Sequence, residues 1–222
     1  MALWEVALHS GGDSRRRCRV DMIDNTEELH RVYGAPSERA VKKQLDRLDR
    51  HCRAFIARSP FLVIASADAA GRCDASPKGD RPGFVSVLDD RTLLIPDRLG
   101  NNRVDTLGNL LAHPGIGLIF FVPGLDETLR VNGRAQVATD RALLEPLAVN
   151  GKAPRSGILV AIEEVYFHCG KALIRADLWN PQTQLRRGEF PSLGRIIAEQ
   201  IGGIDAAEAE RQTAESYRTR LY

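Results

Sequence analysis

The run 127–138, "ETLRVNGRAQVA", alternates with a period of two. Leu129, Val131, Gly133, Ala135 and Val137 share one face, and Thr128, Arg130, Asn132, Arg134 and Gln136 share the other. A helix would scatter these two sets around its circumference, so the run reads as a β-strand with one face in a core. The other face is too polar for a core and unusually cationic for plain surface. Gly133, inside the strand, signals a bulge or the close approach of another backbone.

Working outward, short β-rich runs bounded by Gly, Pro or Asp lie on both sides: "FLVIASA" (61–67), "GFVSVLD" (83–89), "TLLIP" (92–96), "IGLIFFV" (116–122) and "SGILVAIEEVYFHC" (156–169), the last with a bulge. Six or so strands with few helices between them predict a barrel rather than a doubly wound sheet. The chain is therefore read as mainly β with flanking helices, an α+β protein. Residues 26–58 read as helical. Val41, Leu45, Leu48, Cys52, Phe55 and Ile56 fall on one face, Pro36 and Ser37 are start signals, and Ser59 and Pro60 end the run. Further helices are expected from Asn102 to Leu111, over 139–149 with Thr139 as cap, and twice in the tail, where Asp205 and Glu208 have capping-box spacing. No linker divides the chain. Residues 1–190 read as one domain with N-terminal helices, and 191–222 as its C-terminal helical extension.

With 222 residues, 43% hydrophobic and 27% charged, the chain can bury a sizeable core. A net charge of +2 and only 6% aromatic residues argue against a nucleic-acid binder. The densest basic cluster, "RRRCR" at 15–19, reads as a solvated segment. No window approaches the roughly 18 apolar residues of a membrane span. The first residues lack the pattern of a signal peptide, so a cytoplasmic location is expected. Cys18, Cys52, Cys73 and Cys169 are scattered without a C-x-x-C pair, and the five histidines are isolated. Free thiols, rather than a zinc or iron–sulfur site, follow.

Three stretches suit an anion. In "DASPKGD" (74–80), Asp74, Ser76 and Lys78 share one face of an extended segment, and a hydroxyl and an ammonium two residues apart could bind one phosphate. A solvated edge strand protected by Lys and Pro fits the same residues. In "PDRLGNNRVDTLGNLLAHPG" (96–115), a strand ends, a turn follows, and a helix begins with Arg103 in its first turn. Helix N-termini offer free amides to anions, and Arg98 and Arg103 add forked donors. A capped helix with a surface arginine is the alternative. The third stretch is the Arg130 and Arg134 face. There is no Gly-x-Ser-x-Gly, no His-Glu-x-x-His and no Gly-x-Gly-x-x-Gly after a strand. An enzyme of this composition would draw its reactivity from a cofactor.

Taken in order, "DASPKGDRPGF", "LLIPDRLGNNRVDTLGNLLAHPGIGLIFFVPG", "ETLRVNGRA" and "FHCGKALIRADLW" resemble the pyridoxamine 5'-phosphate oxidase-like flavin-binding split-barrel family, more narrowly a subgroup of FMN-dependent proteins without a settled substrate. The resemblance spans about residues 30 to 180. It implies a six-stranded split β-barrel and a homodimer with two FMN molecules at the subunit interface, each touched by both chains. It implies FMN contacts from Ser76, Pro77 and Lys78, and a phosphate grip from Arg98, Asn101, Asn102 and Arg103. Thr128, with Arg130 nearby, would approach the isoalloxazine, and Lys171 and Trp179 would reach the partner's flavin. The tryptophan–glycine and arginine signature of true pyridoxamine-phosphate oxidases is replaced by "WNPQTQLRRGEFPSLGRII", so vitamin B6 oxidation is not expected. The resemblance thus implies an FMN-dependent oxidoreductase acting on an unidentified small molecule. The alternatives are a non-catalytic flavin-binding or sensing protein, or a split barrel holding deazaflavin or haem.

Overall fold

The computed structural model describes residues 5–8, 16–19, 22–186 and 188–222. The reading of 15–19 as a solvated segment concerns side chains outside the described residues. The chain divides into two compact units, Met1–Lys42 and Lys43–Tyr222. In the first, β1 (Glu5–Leu8) pairs antiparallel with β2 (Arg16–Arg19). Two helices follow, α1 (Thr26–Tyr33) and α2 (Glu38–Lys42). The Asn25 side chain accepts from the Glu28 amide at 2.9 Å to cap α1, and Gly34, at φ 75°, ends it. The β1–β2 pair was not expected from the sequence.

The second unit is built on an antiparallel sheet. Its strands are β3 (Phe61–Ala67), β4 (Cys73–Gly79), the two-residue β5 (Ser86–Val87), β6 (Thr92–Pro96), β7 (Gly115–Phe121), β8 (Thr128–Ala138) and β9 (Gly157–His168). Their order is β4-β3-β7-β8-β9-β6-β5. Six long strands thus form the expected split barrel, which stays open because its edges, β4 and β5, are not neighbours. Alternation places Leu62 and Ile64, Ile116, Leu118 and Phe120, and Leu129, Val131 and Ala135 in one core, closed by Val160, Ile162 and Val165 of β9. On β8, Arg130 and Arg134 are exposed while Leu129, Val131, Gly133 and Ala135 are buried, as the period of two requires. The register slips between Asn132 and Gly133, so that Asn132 faces Glu164 and Gly133 faces Ile162. A Cβ at Gly133 would overlap the Ala161 carbonyl oxygen.

The helices are α3 (Arg50–Ile56), α4 (Asp105–Ala112), α5 (Arg141–Leu144), α6 (Lys171–Ala176), α7 (Leu193–Ile201) and α8 (Ala206–Thr219). The stretch 26–58, read as helical, holds three short helices, the second starting after Ser37 as its start signals imply. Leu45 leaves the helical path to form an antiparallel bridge with Val165, and Asp49 starts α3 afresh by accepting from the amides of His51 and Cys52 at 2.9 and 2.8 Å. Leu48, Cys52, Phe55 and Ile56 keep their expected places in the core. Three further expectations are corrected. Of the strand expected over 83–89, only Ser86 and Val87 pair, because Gly83 adopts φ 81° and the chain turns into the sheet late. Asp140, not Thr139, caps α5 through the Leu143 amide. Arg103 precedes α4 rather than occupying its first turn.

Candidate functional site

Edge strand β4 carries the first wall. Its residues alternate between exposed and half-buried, and Asp74, Ser76 and Lys78 are the half-buried set. Pro77 has no amide to donate and is tolerated because β4 has a single neighbour, β3. The Lys78 ammonium lies 3.2 Å from Oδ1 of Asp97, just beyond β6.

The loop after β6 forms the second wall. Asn102 and Val104 both lie in the left-handed region, at φ 59° and 51°. For β-branched Val104 this conformation is strained. Val104 stands at the N-cap of α4 with no side-chain cap, so the first amides of the helix lack the usual acceptor. Asp105, in the first turn, is engaged with Arg103 at 2.8 Å. The Asn101 side chain accepts from the Arg103 amide at 3.1 Å. An uncapped helix start, an arginine at its mouth and a lysine on the opposite strand form a donor set that suits a phosphate.

Arg98 is differently placed. Its Nε donates to Oδ2 of Asp80 at 2.7 Å and its Nη1 to the Leu147 carbonyl at 2.8 Å. The Asp80 side chain is only 2% exposed. Asp80 also accepts from the Tyr222 hydroxyl and the Arg81 amide, each at 2.7 Å. Burial raises its carboxyl pKa, but these hydrogen bonds outweigh burial and hold it below the ordinary range. Arg98 is thus a strut between the end of β4, the loop after β6 and residue 147.

These walls enclose a cavity of ≈ 530 Å³. Of the residues singled out from the sequence, Ser76, Pro77, Lys78, Arg98, Asn101, Asn102 and Arg103 all line it. Thr128, Arg130, Lys171 and Trp179 do not. Thr128 is buried opposite His168, Arg130 lies on the outer face with its guanidinium 5.8 Å from the Tyr166 ring, Lys171 is exposed on α6, and the Trp179 indole donates to the Leu125 carbonyl at 2.8 Å. The structure adds Lys152, Arg155 and Tyr222 to the lining, none of which the sequence singled out. Among the described residues no group of three or more His, Cys, Asp or Glu could hold a metal, and no helix is long and apolar enough to cross a membrane.

The family described as pyridoxamine 5'-phosphate oxidase matches residues 48–169, which include every long strand of the barrel. Among solved structures, HupZ of Group A Streptococcus is 18% identical with a TM-score of 0.45, covering 54% of this chain and 93% of that one. An FMN-binding protein from Syntrophomonas wolfei is 13% identical with a TM-score of 0.43, covering 53% of this chain and 83% of that one. General Stress Protein 26 from Bacillus anthracis is 12% identical with a TM-score of 0.40, covering 51% and 88%. No curated protein matches the chain.

Proposed function

The chain belongs to the pyridoxamine 5'-phosphate oxidase family, and from that premise we propose that it is a cytoplasmic FMN-dependent oxidoreductase acting on a small molecule. The reading includes a homodimer with flavin at its interface. One observation carries it: the uncapped start of α4 faces the same cavity as Lys78, Asn102 and Arg103. That donor set fits a phosphate monoester, and these residues would hold it through free amides and charge-assisted hydrogen bonds. Ser76 and Pro77 would flank the cofactor along β4. Arg98, fixed by Asp80, would offer its remaining donors without reorganising. Thr128 and Arg130 would serve the isoalloxazine, and Lys171 and Trp179 the second flavin of the dimer.

Bound FMN supplies reversible hydride acceptance, which the side chains here lack. The protein's part is to bind, orient and provide positive charge near the ring. A second reading, a non-catalytic flavin carrier or sensor, is favoured by one feature: among the described residues the cavity lining contains neither histidine nor cysteine.

An absorbance spectrum of the purified protein from about 300 to 600 nm, with mass identification of what is released on denaturation, tests the cofactor. Released FMN is the expected result. A protein that stays colourless after incubation with excess FMN would sink the reading. Bleaching by a substrate under anaerobic conditions then separates the oxidoreductase from the carrier.

A further inference from the structure

We propose that Lys152 and Arg155 form a seat for the carboxylate or phosphate of an anionic small-molecule substrate, at the end of the cavity bounded by Tyr222. The proposal deepens the flavin reading and rests on it for the occupant of the rest of the cavity.

The first argument is charge pairing. The other cations of the lining each have a carboxylate: Lys78 has Asp97, Arg98 has Asp80, and Arg103 has Asp105. Among the described residues, Arg155 has no carboxylate partner, so its charge is left for a ligand, and Lys152 beside it is held only by the main-chain oxygen of Tyr222 at 3.3 Å. Asp74 is a lining charge for which the described residues show no ion pair. It lies four residues from Lys78 along β4, about 13 Å away. An anion is therefore repelled at the Asp74 end of the strand and attracted at the other.

The second argument is construction. Asn150 and Gly151 both have positive φ, at 53° and 76°, and form a tight two-residue turn closed by hydrogen bonds of 3.0 Å in each direction between Val149 and Lys152. That fixes the backbone of Lys152. Its ammonium donates to the main-chain oxygen of Tyr222 at 3.3 Å, and Tyr222 is itself moored through its hydroxyl to buried Asp80. Beyond Arg155, the Ser156 carbonyl accepts from the Asp97 amide at 3.0 Å, which holds the segment against the loop after β6. The pair is thus carried by a chain segment fixed at both ends. It also belongs to a different element from the start of α4, so the two groups of donors are carried by separate parts of the chain.

Calorimetric titration of the full chain, with and without FMN, decides the matter with three probes: benzoate, phenyl phosphate and neutral benzyl alcohol. At least one anion is expected to bind about tenfold more tightly than the alcohol, and the better of the two identifies the seat as suited to carboxylate or phosphate. Lys152→Met combined with Arg155→Gln should abolish that preference, while FMN affinity moves by less than about twofold. Both side chains are exposed, and unchanged thermal melting would confirm that the variant folds. Equal binding of anion and alcohol, no binding of either anion, or a parallel loss of FMN affinity in the variant would each overturn the proposal. The last outcome would assign the pair to the phosphate of FMN instead. A protein that takes no FMN refutes the flavin reading, yet the comparison of probes on the flavin-free chain still decides this one.

Discussion

The Tyr222 hydroxyl donates a 2.7 Å hydrogen bond to Oδ1 of Asp80, joining residues 142 positions apart. Asp80 also accepts from Arg98, so one buried carboxylate ties the tail to β4 and to the loop after β6. Removing that carboxylate strands the guanidinium. Asp80→Asn is expected to cost about 2 kcal/mol, less than a fully buried pair because Arg98 keeps some contact with water. Denaturant unfolding measures it as a fall in midpoint.

The same pair contributes to the pH dependence of stability. The folded Asp80 carboxyl lies below its ordinary value of 3.8. Its contribution is therefore full above that value and lost as pH falls through the folded one. Tyr222 runs the other way. Its hydrogen bond to Asp80, with burial, raises the phenol above 10.0, so its contribution is full below pH 10.0 and lost as pH rises through the raised value. Thermal melting should weaken at both extremes. Tyr222→Phe should flatten the alkaline limb and leave the Asp80–Arg98 part of the acid limb in place.

Gly133 permits the β8–β9 bulge. With the Ala161 carbonyl where a Cβ would lie, Gly133→Ala must displace backbone rather than a side-chain tip. A loss of about 3 kcal/mol is expected, at the upper end of the cost of overpacking. A variant as stable as the parent in denaturant unfolding would mean that the two strands can slide apart at no cost.

This bulge was legible in the sequence because a glycine interrupts a strict period of two. The long strands were legible for the same reason: alternation is local, and each is bounded by turn residues. Half of the cavity was also legible, because Ser76 to Lys78 and Arg98 to Arg103 are short segments with local signals. The other half was not. Lys152 and Arg155 are two cations in a turn-rich connection, and Tyr222 closes a helical tail. Only long-range pairing brings them to the cavity. The break at Leu45 in the helical stretch 26–58 was hidden too. The apolar spacing is genuinely helical on either side of Leu45, and the bridge to Val165 that breaks it is made 120 residues later. Arg98 shows what residue type alone leaves out: a guanidinium suits phosphate, but here its Nε and Nη1 are also engaged with Asp80 and Leu147.

Val104 holds a conformation that its branched side chain disfavours, and it does so where α4 meets the cavity. Its side chain is exposed, so little packing is lost on replacement. Val104→Asn, which tolerates the left-handed region, should stabilise the protein by about 1 kcal/mol. A rise in melting temperature is the expected observation. If the melting temperature falls instead, the valine side chain makes contacts that outweigh the strain.

The pairing of Arg103 with Asp105 would make the proposed phosphate site adjustable. The carboxylate competes with any anion for the guanidinium, 2.8 Å away, while favouring the positive end of the α4 dipole. Asp105→Asn removes the competitor at a cost of about 0.5 kcal/mol in helix stability, set by the dipole alone. FMN should then bind several-fold more tightly. Lys78→Met and Arg103→Gln should each weaken it by about tenfold or more, the loss expected for one charge-assisted hydrogen bond. Arg98→Met should instead lower stability first, because buried Asp80 loses its cation. Flavin fluorescence titration alongside thermal melting separates these outcomes. If Asp105→Asn weakens FMN binding, the Asp105 carboxylate positions Arg103 for the phosphate rather than competing with it.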